Sequence, residues 1–178
     1  MIALYIIGTF IVLILLLAAF TGTAWNYEKS LLINAPCEKV WRNVSTLKGL
    51  NAWNPWIRRD ENIRITYTGT DGAPGAQFSW DSELKNVGAG RQTITKITGN
   101  GSGTSVMATR IDFLSPFSGK GEGFVSIAPE IGQTRVSWRI ESSMPYPMNI
   151  VKLFGRIEKN MNKDFTAGLA NLKAICEQ

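Results

Sequence analysis

The sequence contains no histidine. That absence removes the commonest general base near neutral pH, and with it the Ser-His and Cys-His nucleophile pairs. Cysteine is scarce: Cys37 and Cys176 are the two in 178 residues. Thiols so far apart make no disulfide framework. Two Cys without His leave no tetrahedral zinc set, so neither a metal nor a cofactor is expected. A phosphate-cradling loop is also missing. The run Gly119-Lys120-Gly121-Glu122-Gly123 matches neither the P-loop nor the dinucleotide fingerprint and reads as a hairpin or bulge. There is no internal repeat, no low-complexity tract and no long linker.

Charge and proline are absent from Ile2 to Phe20, where the sequence runs IALYIIGTFIVLILLLAAF. A helix of that length spans ~28 Å, close to the ~30 Å hydrocarbon core of a bilayer. Trp25 and Tyr27 follow where an aromatic belt belongs, and Tyr5 stands near the other end. The competing reading is a cleaved signal peptide. It lacks its basic n-region here, and Gly22-Thr23-Ala24 is a poor cleavage site. Residues 1–25 are therefore expected to be a transmembrane anchor helix, with residues 26–178 as one domain. No basic residue precedes the span, while Lys29, Lys39 and Arg42 follow it closely. The positive-inside rule then puts the N-terminus outside and the domain in the cytoplasm. The net charge is +5. For a tethered domain this suits anionic lipid headgroups, and no nucleic-acid partner is expected.

The rest of the chain alternates in short periods. Asn26 to Asn34 reads as a strand, and Ala35-Pro36 opens a helix carrying Val40, Trp41, Val44 and Leu47 at helical spacing. Lys48 to Trp56 allows at most a short second helix. Six runs of strand character follow between Ile63 and Glu141, separated by turn chemistry such as GTDGAPG and NGSG. Short links make such a sheet antiparallel. From Met148 to Ile175 apolar residues recur every three or four positions, which predicts one long amphipathic helix with Gly155 and Gly168 as bends. A curved sheet covered by one helix leaves a concavity that side chains alone do not fill, and such cavities bind apolar ligands.

This order resembles the START-like (SRPBCC) superfamily of polyketide cyclases/dehydrases and lipid-transport proteins. The likeness is carried by Ile33-Asn34-Ala35-Pro36-Cys37-Glu38-Lys39-Val40-Trp41, by the Trp-rich LNAWNPW from Leu50 to Trp56, by Gly69, by Gly75 to Trp80, and by Leu172-Lys173. It covers roughly residues 26 to 176. It implies an α+β helix-grip fold: a curved seven-stranded antiparallel sheet gripping a long C-terminal helix, here behind a transmembrane helix. It implies a hydrophobic pocket but no single activity.

Within that frame the bulky apolar residues Tyr67, Phe78, Trp80, Phe113, Trp138, Phe154 and Met161 are the expected pocket lining. Trp56 and Phe117, beside Pro55 and Pro116, are expected at its mouth. The basic stripe Lys152, Arg156, Lys159 and Lys163 is expected to touch the membrane surface. Strand alternation sets Asp81, Asp112 and Glu141 opposite their apolar neighbours, on the solvent face. Glu122 is the fourth strand carboxylate, and the sequence gives no positive sign of catalysis. The expected function is a membrane-anchored domain binding a membrane lipid or other hydrophobic small molecule without chemistry. Two alternatives stand beside it. One is an accessory subunit packed on a membrane-protein partner. The other is a cyclase/dehydrase-type enzyme with a carboxylate facing the cavity.

Overall fold

The computed structural model describes residues 1–178, apart from the side chain of Arg156. Helix α1 (Ile2–Phe20) is long and apolar enough to cross a membrane, and nearly all of it is exposed. After a three-residue link strand β1 (Ala24–Ile33) begins, two positions earlier than the sequence pattern indicated. Helices α2 (Cys37–Val44) and α3 (Leu47–Trp53) follow, then a 3₁₀ turn at Ile57–Arg59. Strands β2 (Arg64–Thr68), β3 (Gln77–Asp81), β4 (Ala89–Thr98), β5 (Ser105–Ser115), β6 (Gly119–Glu130) and β7 (Gln133–Ser143) come next. The chain ends with a 3₁₀ segment (Met148–Phe154) and helix α4 (Arg156–Cys176).

The seven strands form one antiparallel sheet in the order β1-β7-β6-β5-β4-β3-β2. Sequential hairpins build β2 to β7, and β1 closes the far edge by pairing Ala24 with Ser143 and Ile33 with Thr134. The two ends of this sheet differ in character. At one end lie the start of β1, the end of β7, the β5–β6 link and the β3–β4 link. At the other lie the β4–β5 and β6–β7 links and the entry to α2. Helix α1 joins at the first of these ends.

Local chemistry explains the short helices. Pro36 is the N-cap of α2, Glu38 sits in its first turn, and Val40, Trp41 and Val44 form its buried stripe. The Thr46 side chain caps α3 by accepting from Gly49 N at 3.0 Å. Asp71, in the β2–β3 link, accepts from Leu47 N at 2.7 Å and Lys48 N at 3.1 Å, so that turn holds the start of α3.

The predicted single C-terminal helix is in fact two pieces. Gly155 takes φ +62°, a left-handed conformation that ends the 3₁₀ segment and starts α4. Gly168, by contrast, is no bend, because α4 runs through it. A Cβ there would meet Trp138 at 2.7 Å and Pro55 at 3.1 Å, so the glycine lets the sheet and the α3 loop approach the helix.

The second half of α4 buries Leu169, Leu172 and Cys176 against Ile33, Val40, Val44, Leu47 and Trp53. Each large side chain so buried contributes roughly 1.5–3 kcal/mol. This packing fills the concavity at the end away from α1. The first half of α4 leaves it open.

Candidate functional site

Between the sheet, α3 and the first half of α4 is a cavity of about 250 Å³. Alternation supplies the sheet side: Met107, Thr109, Ile111 and Phe113 from β5, Gly123 and Val125 from β6, and Trp138, Ile140 and Ser142 from β7. Leu50, Trp56 and Ile57 close one flank. Helix α4 adds Ile157, Met161, Asp164 and Phe165, and Trp25 and Met144 lie at the α1 end. The lining is mostly apolar, as expected of a site for an apolar molecule.

Burial grades along the cavity. On β5, Met107 and Thr109 are buried, Ile111 and Phe113 only partly so. On α4, Phe165 and Asp164 are buried, Met161 and Ile157 partly. On β7 the residues from Trp138 to Ser142 are all half-buried, whereas Val136 is fully enclosed. All three elements open in the same direction, toward the end of the sheet that α1 joins.

Aromatic contacts form the inner wall. Trp138 stacks on Phe165 with ring centroids 4.0 Å apart, and Trp53 meets Trp138 edge-on at 4.8 Å. Polar groups are few. Gln92 Nε2 donates to Thr109 Oγ1 at 2.8 Å, and Thr109 Oγ1 donates to Gly123 O at 3.1 Å, a buried chain across β4, β5 and β6. Arg59 pairs with Asp164 at 2.5 Å and lies over the Trp56 ring at 4.7 Å. Trp56 Nε1 is buried and has no hydrogen-bond partner.

Of the residues singled out in the sequence, Phe78, Trp80, Phe113, Trp138, Met161 and Trp56 line this cavity. Three others do not. Tyr67 shares the face of Phe78, its register partner, but β2 is the edge strand, so the ring lies outside the lining and partly exposed. Its Oη accepts from Asn51 Nδ2 at 3.0 Å. Phe154 precedes the break at Gly155, loses the phase of α4 and is 75 % exposed. Phe117 lies in the β5–β6 link, is 80 % exposed and does not reach the lining.

The basic stripe divides as well. Lys152 Nζ donates to Ala24 O at 2.7 Å and to Gly22 O, which turns it toward the chain just after α1. Lys159 and Lys163 are exposed on α4. The side chain of Arg156 lies outside what the structure describes.

The four strand carboxylates are all outside the cavity lining. Asp81 pairs with Arg64 at 2.6 Å, Asp112 with Arg91 at 3.0 Å and Glu141 with Arg139 at 3.2 Å, and Glu122 is exposed. Sequence reasoning missed Asp164, the carboxylate that does line it. Its signal was a polar residue three places after Met161, on the apolar stripe of the helix. It also missed the aliphatic and small residues, because selection by aromatic bulk passes over Ile140, Val125 and Gly123.

No cluster of three or more potential metal ligands occurs among the described residues.

Solved structures of the same fold include protein CV1439 from Chromobacterium violaceum, 15 % identical, covering 86 % of this chain and 97 % of its own, with a TM-score of 0.57. Another is the hypothetical protein jhp0584 from Helicobacter pylori, at 13 % identity, 88 % and 89 % coverage and a TM-score of 0.62. A third is major latex-like protein 151 from Panax ginseng, at 10 % identity, 87 % and 99 % coverage and a TM-score of 0.60. At such identities the likeness concerns the fold. No curated protein matches the sequence. The family described as polyketide cyclase / dehydrase and lipid transport matches residues 24–177, nearly everything after α1. With its helix-grip sheet, its cavity and that match, the chain belongs to the polyketide cyclase/dehydrase and lipid-transport family.

Proposed function

We propose that the protein is a membrane-anchored domain that holds one hydrophobic small molecule or a single lipid chain without altering it. The observation that carries this reading is the apolar cavity of about 250 Å³ opening toward the end joined to α1. Its volume lies just below the ~300–1,000 Å³ of typical ligand sites, which favours a small molecule or one acyl chain over a bulky multi-chain lipid. Asp164, the wall carboxylate, is committed to Arg59.

Retention of α1 as an anchor is supported by what the domain does with its end. Asn149, which is buried, donates from Nδ2 to Ala18 O at 2.8 Å and Thr21 O at 2.6 Å. Cleavage after this segment would strip those acceptors away. Lys29, Lys39 and Arg42 favour a cytoplasmic domain with the N-terminus outside.

Native mass spectrometry of the detergent-purified full chain, with extraction of what co-purifies, tests the reading. One apolar molecule per chain is expected. A cavity that stays empty against a panel of fatty acids, phospholipids and isoprenoids overturns it. Protease protection in membrane vesicles tests the orientation.

A further inference from the structure

Exposed apolar side chains outside α1 are unevenly distributed. Leu84 sits in the β3–β4 link, and Leu114 and Phe117 in and beside the β5–β6 link. Met148, Leu153 and Phe154 belong to the 3₁₀ segment, and Tyr146 precedes it. All seven lie at the end of the sheet where α1 enters and the cavity opens. The opposite end exposes Ile131 in the β6–β7 turn and, to a lesser degree, Tyr67 near the end of β2.

The depth of this surface is fixed by hydrogen bonds. Asn149 ties the 3₁₀ segment to the carbonyls of Ala18 and Thr21, and Lys152 ties it to those of Gly22 and Ala24. If α1 fills the ~30 Å hydrocarbon core, Ala18 stands at its boundary. The 3₁₀ segment bonded to that residue is then held at the same level. Leu153 and Phe154 can meet the acyl chains there, with Tyr146 and Lys152 at headgroup depth, a division common to interfacial segments.

We infer that this end of the domain is a lipid-contact surface, seated in the interfacial layer of the bilayer that α1 spans, and that the cavity exchanges its ligand directly with that leaflet. The occupant is the bilayer itself. The inference rests on the reading of α1 as an anchor and of the cavity as a ligand site, and it adds the contact surface and the route.

The test uses the purified full chain in phosphatidylcholine vesicles containing a phospholipid with a diazirine on its acyl chain. After photolysis, labelled peptides are mapped by mass spectrometry. Labelling is expected at residues 114–117 and 146–154 as well as in α1, with none around Ile131. Labelling confined to α1 overturns the inference, whether the surface then faces water or waits for a protein partner. Occupancy of the cavity by native mass spectrometry is read separately. A loaded cavity with an unlabelled rim defeats the route and leaves the ligand reading intact. A labelled rim with a cavity that never loads supports the contact surface and defeats both the ligand reading and the exchange route. In the variant F117S/F154S, loss of rim labelling with unchanged labelling of α1 is the expected result. Unchanged rim labelling in that variant counts against these side chains as the contact.

Discussion

The indole of Trp138 lies flat on the ring of Phe165, the two planes within 16° and the centroids 4.0 Å apart. One residue comes from β7 and the other from α4, so this stack is where the sheet grips the helix. It also divides the molecule, with packed core on one side and open cavity on the other. Trp138→Ala removes the stack and the edge contact with Trp53. A loss of about 3 kcal/mol is expected, at the low end for Trp→Ala because Trp138 is only half-buried. Denaturant unfolding in a fixed detergent measures it, and the enlarged cavity should admit bulkier apolar probes than the parent accepts.

Gly168→Ala gives a test in which the sign decides. In an ordinary helix interior, alanine stabilises by up to ~1 kcal/mol relative to glycine. Here the added methyl meets Trp138 and Pro55 at overlapping distances. Overpacking of this kind typically costs ~1–3 kcal/mol, so the variant should be less stable. A raised melting temperature would mean that the helix is not gripped at this point.

Asn149→Ala deletes the two donors that reach Ala18 O and Thr21 O. Ala18 O keeps the Thr21 amide as a donor, but Thr21 O loses its only partner among the described residues, which costs about 1 kcal/mol. The effect should be local. Faster amide exchange and easier proteolysis are expected from Thr21 to Ala24, with the core strands β5 and β6 unchanged.

The two thiols should behave differently. Burial pushes the Cys176 thiol above its ordinary value, so it stays protonated and shielded at neutral pH. Cys37 is partly exposed. Alkylation of the folded protein should modify Cys37 and leave Cys176 untouched until the chain unfolds or the solution becomes strongly alkaline. Mass spectrometry of the alkylated peptides reads the order.

Glu177 supplies a pH dependence. Its hydrogen bond from Lys173, then that from the Asn34 amide, hold its carboxyl below the usual carboxylate range. A depressed folded pKa means that the tie is present above the unfolded value and is lost as pH falls through the folded one. Amide exchange at Asn34, corrected for its intrinsic pH dependence, should accelerate in that acidic window. Glu177→Gln should remove the dependence.

Much of the fold could be read from the sequence because its signals are local. Alternation along β5 and β7, the Ala35-Pro36 helix start and the spacing of Leu169 and Leu172 each encode one element. The site was harder to read because it depends on where elements stop and which lie at an edge. Tyr67 has the correct parity, but only the strand order reveals that β2 has no outer neighbour. Phe154 has the correct spacing, but Gly155 breaks the phase that made the spacing meaningful. Asp164 carries no local signal of its role, because its partner Arg59 lies 105 residues earlier in the chain.

The link between α1 and the sheet has a mechanical consequence. Three residues join them, Asn149 and Lys152 brace both sides of that link, and β1 is paired to β7 along its full length. Such a junction restrains independent swivelling of α1, so a tilt of the helix is passed in part to the edge of the sheet and to the cavity mouth. A transmembrane helix tilts as the bilayer thins or thickens. If α1 spans a membrane as proposed, the thickness of that membrane would bias the direction in which the cavity faces.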